Sequence, residues 1–533
     1  MLLKELAKNP LVLRSRVERP EFDLLDLQCD SRLVGAGDGF FALAGFRADG
    51  HAYLDAARAA GAGALFVGDP AAFERLEREL AAAADTADAP GAGGAGAAGI
   101  FLVEGGRAGL AGLASLLWRA PSRRMALLGV TGTNGKTTVA HLVAQLMGAL
   151  GRPCGVIGSL GLFLPSAAPG AGAGAGAEPA HTASERTTPE APDIERFLAR
   201  CLAGGVGMAA MEATSIGIAL QRTRELAFRA AAFTNLSQDH LDFHRTPEAY
   251  REAKFSLFLR EGTAAAVVNR DDPAGAELLR LLKRERPALP LLPFSLGGGG
   301  GLALELEPES VRSDGEGGEG TLLFEGQRYP FRTRLVGAFN LSNLLAALGL
   351  LLAIGEQPAA LAGAAEACRG VAGRFERVAP ALPFAVLVDY AHTPDALENA
   401  LRAARTLGPA RVLVLFGCGG QRDRAKRPQM GRLAEQLAEV VVLTSDNPRG
   451  EEPEAIIAQI AAGLSGGGAE VKRIVERREA IHWLLARARP GDLVLLAGKG
   501  HEETQEIAGA KFPFDDRQVV RQWAREKGYG EPA

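Results

Sequence analysis

The chain has 533 residues, too many for one hydrophobic core to keep growing, so two to four domains are expected. Its composition, 47% hydrophobic, 23% charged and 6% aromatic, is that of an ordinary globular protein and excludes a fibrous one. A formal charge of -4 excludes global attraction to nucleic acid or acidic lipid, so anionic ligands must be met by local cations.

The N-terminal segment MLLKELAKNP has no apolar signal core, and no run of about 18 apolar residues follows. Neither export nor a membrane span is expected, and a cytoplasmic location fits. The five cysteines, Cys29, Cys154, Cys201, Cys368 and Cys418, are scattered without the paired spacing of zinc or redox motifs and read as structural residues in a reducing compartment.

Ala/Gly-rich stretches at 81–99, 165–180 and 297–301 read as flexible connections. Between them, short apolar runs end abruptly in polar or Gly-rich residues and lead into helical stretches. The strands expected are 125–130, 207–213, 229–235, 264–269, 384–390, 411–417, 440–446 and 492–498. This alternation predicts an α/β protein with parallel sheets, and ligands bind at the carboxyl ends of such strands. Domain boundaries are placed near Pro121 and Gly373, giving segments 1–120, 121–372 and 373–533.

The segment Gly129-Val130-Thr131-Gly132-Thr133-Asn134-Gly135-Lys136-Thr137-Thr138 follows a strand and opens a helix, the setting of a phosphate-binding loop. Its glycines turn backbone N–H groups toward phosphate oxygens, Lys136 supplies a point charge and Thr137 a hydroxyl for Mg²⁺. Val130 stands where the strict pattern has Gly. Such a loop implies a nucleotide, not a reaction. The next two strands end in Met211-Glu212-Ala213-Thr214-Ser215 and in Thr234 to His244, placing Glu212, His240 and other metal-compatible side chains near a triphosphate. Lys254, at the end of a short expected helix from Tyr250, reads on its own as a surface residue.

In order, GTNGKTT, ME-x-TS-x-G, FTNLSQDHLDFH, a following AK, GAFNLSNLLAA, GRFE and DYAHTPDAL resemble the signature of the Mur ligases over essentially the whole chain. The resemblance implies an N-terminal UDP-binding α/β domain, a central P-loop ATPase domain with a mostly parallel sheet, and a C-terminal Rossmann-like domain. It implies catalytic roles for Lys136, Glu212, His240 and Lys254, with Lys254 carbamylated. Thr137 and Glu212 would hold one Mg²⁺, and His240 and Lys254 a second. ATP would be met by Gly132, Thr133, Asn134, Gly135, Lys136, Thr137, Thr138, Asn340, Asn343, Arg374, Asp389 and His392.

Further along the same resemblance, Ser31 and the loop Phe46, Arg47 and Ala48 match UDP-contacting positions, with Phe46 where the family often has His. Taken alone, Asp30-Ser31-Arg32 is a turn with a surface salt bridge. Thr187, Thr188, Thr214 and Arg222 match contacts to a muramoyl dipeptide; Ile216 and Leu220 depart from the family's His and Gln. In the C-terminal domain the four cations between 422 and 427 read first as a solvated turn. With Asp446-Asn447-Pro448-Arg449, Gly498 and Glu502 on neighbouring strand ends, Arg422 and these residues resemble a pocket for meso-diaminopimelate. That amino acid differs from lysine by a distal carboxylate, which the planar fork of Arg449 suits. Position 421, usually Asp, is Gln here.

The resemblance therefore implies an ATP- and Mg²⁺-dependent ligase that joins diaminopimelate to UDP-MurNAc-L-Ala-D-Glu through an acyl phosphate, acting as a monomer on small molecules and not on nucleic acid or membrane. Two alternatives stand beside it: a relative with another substrate, lysine-adding or folylpolyglutamate synthetase-like, and a silent nucleotide-binding module.

Overall fold

In the computed structural model the described residues are 1–45, 48–85, 97–165, 180–184, 186–237, 239–297, 304–307, 312–314 and 317–529. The Ala/Gly-rich stretches lie largely outside them, as do Phe46 and Arg47.

The first sheet is built from β1 (Val12–Val17), β2 (Leu27–Gln28), β3 (Gly39–Ala42), β4 (Ala64–Val67) and β5 (Gly99–Val103), ordered β1-β5-β4-β3-β2. GFFA, ALFV and GIFLV are buried at every position, the pattern of parallel strands covered on both faces. Only β1, whose arginines alternate outward, pairs antiparallel, on the edge next to β5. Phe41, Phe66 and Phe101 pack across the sheet, with successive ring centroids 6.5 and 5.1 Å apart.

The central strands β6 (Ala126–Thr131), β7 (Gly155–Gly158), β8 (Gly161–Leu164), β9 (Ala180–Thr182) and β10 (Met208–Glu212) run in the order β6-β10-β7-β8-β9. The pairs of β10 with β6 and β7 are parallel, and those of β8 are antiparallel. After β11 (Ala230–Phe233), strands β12 (Ala266–Asn269), β13 (Leu291–Ser295) and β14 (Leu304–Leu306) are parallel in succession. They pass into an antiparallel extension of β15 (Arg312–Asp314), β16 (Gly317–Phe324) and β17 (Gln327–Thr333). The first of these sets is thus parallel through β6, β10 and β7 and antiparallel at β8 and β9, and the second is parallel from β12 to β14 and antiparallel beyond. The hairpin of β16 and β17 turns at Glu325-Gly326, too brief for a parallel crossover.

The last sheet has the order β18-β19-β23-β20-β21-β22, from β18 (Glu376–Arg377), β19 (Ala385–Asp389), β20 (Val412–Phe416), β21 (Val440–Leu443), β22 (Glu470–Arg473) and β23 (Leu493–Ala497). It is parallel except at β18, with a hairpin of β24 (Thr504–Ile507) and β25 (Ala510–Pro513) beside it in the sequence. All eight strands expected from the sequence are present. One expectation is corrected: Lys254 does not end a short helix but lies inside a 13-residue one, Pro247–Leu259, started by Thr246, whose hydroxyl accepts from Ala249 N, and by Pro at its first turn.

By compactness the chain divides into two units, Met1–Thr131 with Pro153–Ala231 and Asp242–Ala265, and Gly132–Arg152 with Ala232–Leu241 and Ala266–Ala533. In the first, helix Ala191–Ala203 packs on helix Gly106–Leu117 and carries Glu195, which is 1% exposed. Burial, reinforced by Glu225, pushes its carboxyl up to about 7 against the opposing effects of Ser115 and Arg123. A raised carboxyl titrates later in the folded chain than in the unfolded one, so stability falls as pH rises from about 4.5 to about 7 and is level above. Glu195→Gln should therefore stabilise the protein at pH 8 by on the order of 2 kcal/mol and change little at pH 4, as read from urea unfolding midpoints of the two proteins at each pH.

Candidate active site

The strand–loop–helix at β6 takes the form its glycines require. Gly135 has φ +87°, and a Cβ there would stand 2.3 Å from Asn343 Oδ1; one at Gly132 would stand 1.9 Å from Thr234 Oγ1. Helix Lys136–Ala149 starts at the end of this loop. Lys136 Nζ donates to the carbonyls of Gly132 and Thr133 at 2.9 and 2.6 Å, folded over its own loop. The strand end at β11 fixes that loop: Asn134 N donates to Asn235 Oδ1 at 2.9 Å, Thr234 Oγ1 to Asn134 O at 2.6 Å, and Ser237 N to Thr133 Oγ1 at 2.9 Å. The Asp395 carboxylate accepts from Ser237 Oγ at 2.8 Å and Asn134 Nδ2 at 3.3 Å.

Other residues expected around ATP gather in the same unit. Asn343 lies against Gly135 and donates to Asn340 Oδ1 at 3.4 Å, while Asn340 Nδ2 donates to Val336 O at 2.9 Å; both are buried. Arg374 Nη2 lies 3.5 Å from Thr137 Oγ1, its guanidinium 4.6 Å above the Tyr390 ring. Asp389 accepts from Phe375 N and Ala391 N at 2.7 and 2.8 Å, and burial raises its carboxyl despite Arg374 and these bonds. His392 Nδ1 is 2.9 Å from Tyr390 O, and Lys426 Nζ donates to the His392 carbonyl at 2.7 Å. His240 has a 42% exposed side chain and a left-handed backbone, φ +52°. Strain of this kind in a residue other than glycine concentrates at functional positions.

In the other unit the strand end at β10 gathers a second constellation. Glu212, 1% exposed, accepts from Ser159 N at 2.7 Å; a Cβ at Gly158 would stand 2.1 Å from its Oε1, so the strand-end glycine makes the carboxylate's room. Thr188 Oγ1 donates to Glu212 O at 2.8 Å and accepts from Thr214 N at 3.0 Å. Thr187 Oγ1 is 3.0 Å from Ser159 Oγ. Arg222 Nη1 donates to Thr188 O at 2.9 Å and its Nη2 meets Glu190 at 2.9 Å. Glu190 also pairs with Arg107 and Arg186, and these guanidinium groups hold its carboxyl below the usual range despite burial. Lys254 is 1% exposed, with Nζ 4.4 Å over the Tyr250 ring, so the sequence expectation of a surface lysine is overturned. A helix face of Tyr250, Lys254, Leu257 and Phe258 takes it inward.

Toward the N-terminus, Asp30 accepts from Arg32 N at 3.0 Å and pairs with its guanidinium at 2.6 Å, so Ser31 sits within a turn and surface salt bridge. The exposed Ala48 accepts from Gly45 N.

Several of the residues expected at the C-terminal strand ends lie together. Asn447 Nδ2 donates to Glu502 Oε2 at 2.8 Å, and Lys499, wholly buried, donates to the same oxygen at 3.1 Å and to Thr504 O at 2.7 Å. Arg449 Nη1 donates to Gly420 O at 3.0 Å. Gly498, with φ +109°, leaves no room for a Cβ, which would stand 2.6 Å from Asp446 Oδ2. Pro448 closes on Gly420, whose Cβ would lie 1.9 Å from its carbonyl oxygen. The basic run splits: Arg422 and Arg424 are exposed, as a solvated turn requires, whereas Arg427 is wholly buried and bonds to Glu451, Gln459 and Gly419 O, which corrects that expectation at this residue.

Models of three protein families match successive stretches: Mur ligase family, catalytic domain, at residues 26–114; Mur ligase middle domain at 130–351; and Mur ligase, glutamate ligase domain, at 373–500. The UDP-N-acetylmuramoyl-L-alanyl-D-glutamate–2,6-diaminopimelate ligase of Parasynechococcus marenigrum is 42% identical over 517 residues, covering 95% of each chain. The chain belongs to the Mur ligase family. The Pseudomonas aeruginosa ligase of the same name is 40% identical, covering 95% of this chain and 96% of its own. A solved ligase of that name superposes with a TM-score of 0.65 at 30% identity, covering 96% of each chain. Mur ligases are ATP-dependent enzymes that form amide bonds, and the three-domain α/β architecture here is theirs.

Within this Mur ligase, several residues the sequence reading passed over hold the assigned ones. Arg477 is wholly buried, paired with Asp516 at 2.6 Å, and donates to Ser445 O and Ala497 O, tying together the strand ends that carry Asp446 to Arg449 and Gly498. Ser159 and Glu190 do the same for Glu212 and Arg222. The signal for Glu190 was its place in ERTTPEAP; Arg477, a helix residue among charged neighbours, gave none.

Proposed function

We propose that this Mur ligase joins meso-diaminopimelate to the D-Glu side-chain carboxylate of UDP-MurNAc-L-Ala-D-Glu, in peptidoglycan precursor synthesis. The observation that carries the substrate choice is the Arg449 guanidinium, held on the Gly420 carbonyl and against Glu506 at the strand end that also carries Asn447, which offers a fixed planar cation to a distal carboxylate. The relatives' names agree with it.

In this reading ATP is the phosphoryl donor and the chain divides functionally at 1–120, 121–372 and 373–533. A carboxylate is a poor electrophile; transfer of the γ-phosphoryl group of ATP to its oxygen breaks the bond to ADP, which leaves, and the resulting acyl phosphate is attacked by the diaminopimelate amine, which forms the amide with loss of a proton and expels phosphate. Lys136 turns from its loop carbonyls to the phosphates, and Thr187, Thr188, Thr214 and Arg222 orient the dipeptide. Ser31 and the loop 46–48 serve the UDP group. Gly132 to Thr138, Asn340, Asn343, Arg374, Asp389 and His392 serve ATP. Arg422, Asp446, Asn447, Pro448, Arg449, Gly498 and Glu502 receive the amino acid.

The residues present fit Mg²⁺. The assigned protein donors are few, and Glu212 among them is a buried carboxylate in glycine-made space at a strand end. That set suits an ion bound by one or two protein groups plus phosphate oxygens and water. Thr137 and Glu212 would serve one ion, His240 and carbamylated Lys254 another, and bound Mg²⁺ would neutralise charge developing on the phosphoryl group. Carbamylation replaces a buried ammonium with an anion, which accounts for a lysine as metal ligand. Among the described residues no helix is long and apolar enough to cross a membrane, and we take the enzyme to act in the cytoplasm, as a monomer on small molecules.

The test is ADP release by the purified protein. It should require UDP-MurNAc-L-Ala-D-Glu and diaminopimelate together, and fall to background when either is omitted or magnesium is chelated. Release that continues without an amino acid would reduce the reading to an ATPase.

A further inference from the structure

Arg449 is not a bare cation. Its backbone docks on the strand Thr504–Ile507: Arg449 N donates to Glu506 O at 3.0 Å and Ala508 N donates to Arg449 O at 2.6 Å. Glu506 N in turn donates to Asn447 Oδ1 at 2.9 Å. These bonds fix the two residues side by side, and the Glu506 carboxylate lies 3.2 Å from Arg449 Nε. The guanidinium is held further by Nη1, which donates to Gly420 O and packs close over Gly419. Within the described residues Nη2 makes no hydrogen bond, so that edge remains for a ligand.

We infer that Glu506 is a specificity-determining residue, a resident carboxylate that neutralises Arg449 and so narrows the preference for an amino acid bearing a distal carboxylate over one lacking it. The inference rests on the reading of Arg449 given above. Two effects act in the same direction. Lysine leaves Arg449 without a ligand carboxylate, a loss that normally rejects it, yet Glu506 still satisfies the guanidinium. Diaminopimelate brings its carboxylate to a cation that already holds one, and the like charges repel. Side chains of Arg449 and Glu506 are 21% and 32% exposed, so solvent screens the pair and its effect is moderate.

Glu506→Gln keeps the shape and removes the charge. In the full-length enzyme its KM for meso-diaminopimelate should fall, and the inhibition constant of L-lysine as a competitor of diaminopimelate should rise, so that their ratio widens by about three- to tenfold. The same substitution in an Arg449→Ala background should leave the ratio unmoved, an outcome that a merely structural role would not give. Weaker binding of both amino acids to Glu506→Gln would make Glu506 a ligand for the amine and overturn the inference, as would an unchanged ratio. If Arg449→Ala narrows the ratio while Glu506→Gln does not widen it, the inference alone falls. If Arg449→Ala leaves the ratio unaltered, the assignment of Arg449 falls and takes the inference with it.

Discussion

Replacing Lys254 by Ala or Arg should lower kcat by roughly 10²–10³-fold, the scale on which one electrostatic contribution to a transition state is lost. The side chain is 1% exposed, on the inner face of a helix and 4.4 Å over the Tyr250 ring, where an ammonium would be desolvated at considerable cost. A carbamate at Nζ converts the position to an oxygen donor. The arginine variant tests this directly, because a guanidinium retains positive charge and cannot form the carbamate under the same conditions. Acetate added at high concentration should restore part of the activity of Lys254→Ala, where it has space, and none of Lys254→Arg. Initial rates of ADP release at saturating substrate, with unfolding midpoints as the control for folding, check both. Near-normal activity of Lys254→Arg would mean that a cation suffices, and the carbamate would be discarded.

Arg449→Ala should reduce kcat/KM for diaminopimelate by roughly 30- to 1000-fold, corresponding to the 2–4 kcal/mol typical of truncating one partner of a hydrogen-bonded charge pair. Steady-state kinetics with diaminopimelate as the varied substrate measure it. ATP affinity, read by fluorescence titration with a nucleotide analogue, should be unchanged, since the residues assigned to the nucleotide do not include Arg449. Arg449→Lys should fall between, with charge retained and the bidentate fork lost. An equal loss of ATP affinity would show that the substitution disturbs the protein more widely than its pocket.

What was legible in the sequence and what was not follow from the range of the interactions. Apolar strands such as VLVLF and LVLLA are encoded in consecutive residues, and so is the glycine spacing that bends the phosphate loop around Lys136. The antiparallel pairings of β8 were not legible, because a short strand such as Gly161–Leu164 carries too few residues to fix a direction. Buried charges were the harder case. Arg427, Arg477 and Lys499 each look like solvated residues in their local segments. Their burial depends on Glu451, Asp516 and Glu502, and for Arg477 and Asp516 the partners are 39 residues apart. Glu190 was in plain view within ERTTPEAP with Arg186 four residues before it, yet nothing local says that arginines from 107 and 222 also meet it. The resemblance to the Mur ligases named the residues that meet substrates. The residues that hold them in place emerge only in the folded structure.

The central claim is the identity of the amino acid joined to the nucleotide dipeptide. The most direct measurement supplies equimolar meso-diaminopimelate and L-lysine with ATP, Mg²⁺ and UDP-MurNAc-L-Ala-D-Glu in one reaction, and identifies the nucleotide products by mass spectrometry. A pocket built on Arg449, Asn447 and Glu502 predicts a product bearing diaminopimelate almost alone, with one ADP released for each. A lysine-bearing product in comparable amount, or ADP formed with no new nucleotide product, would contradict it.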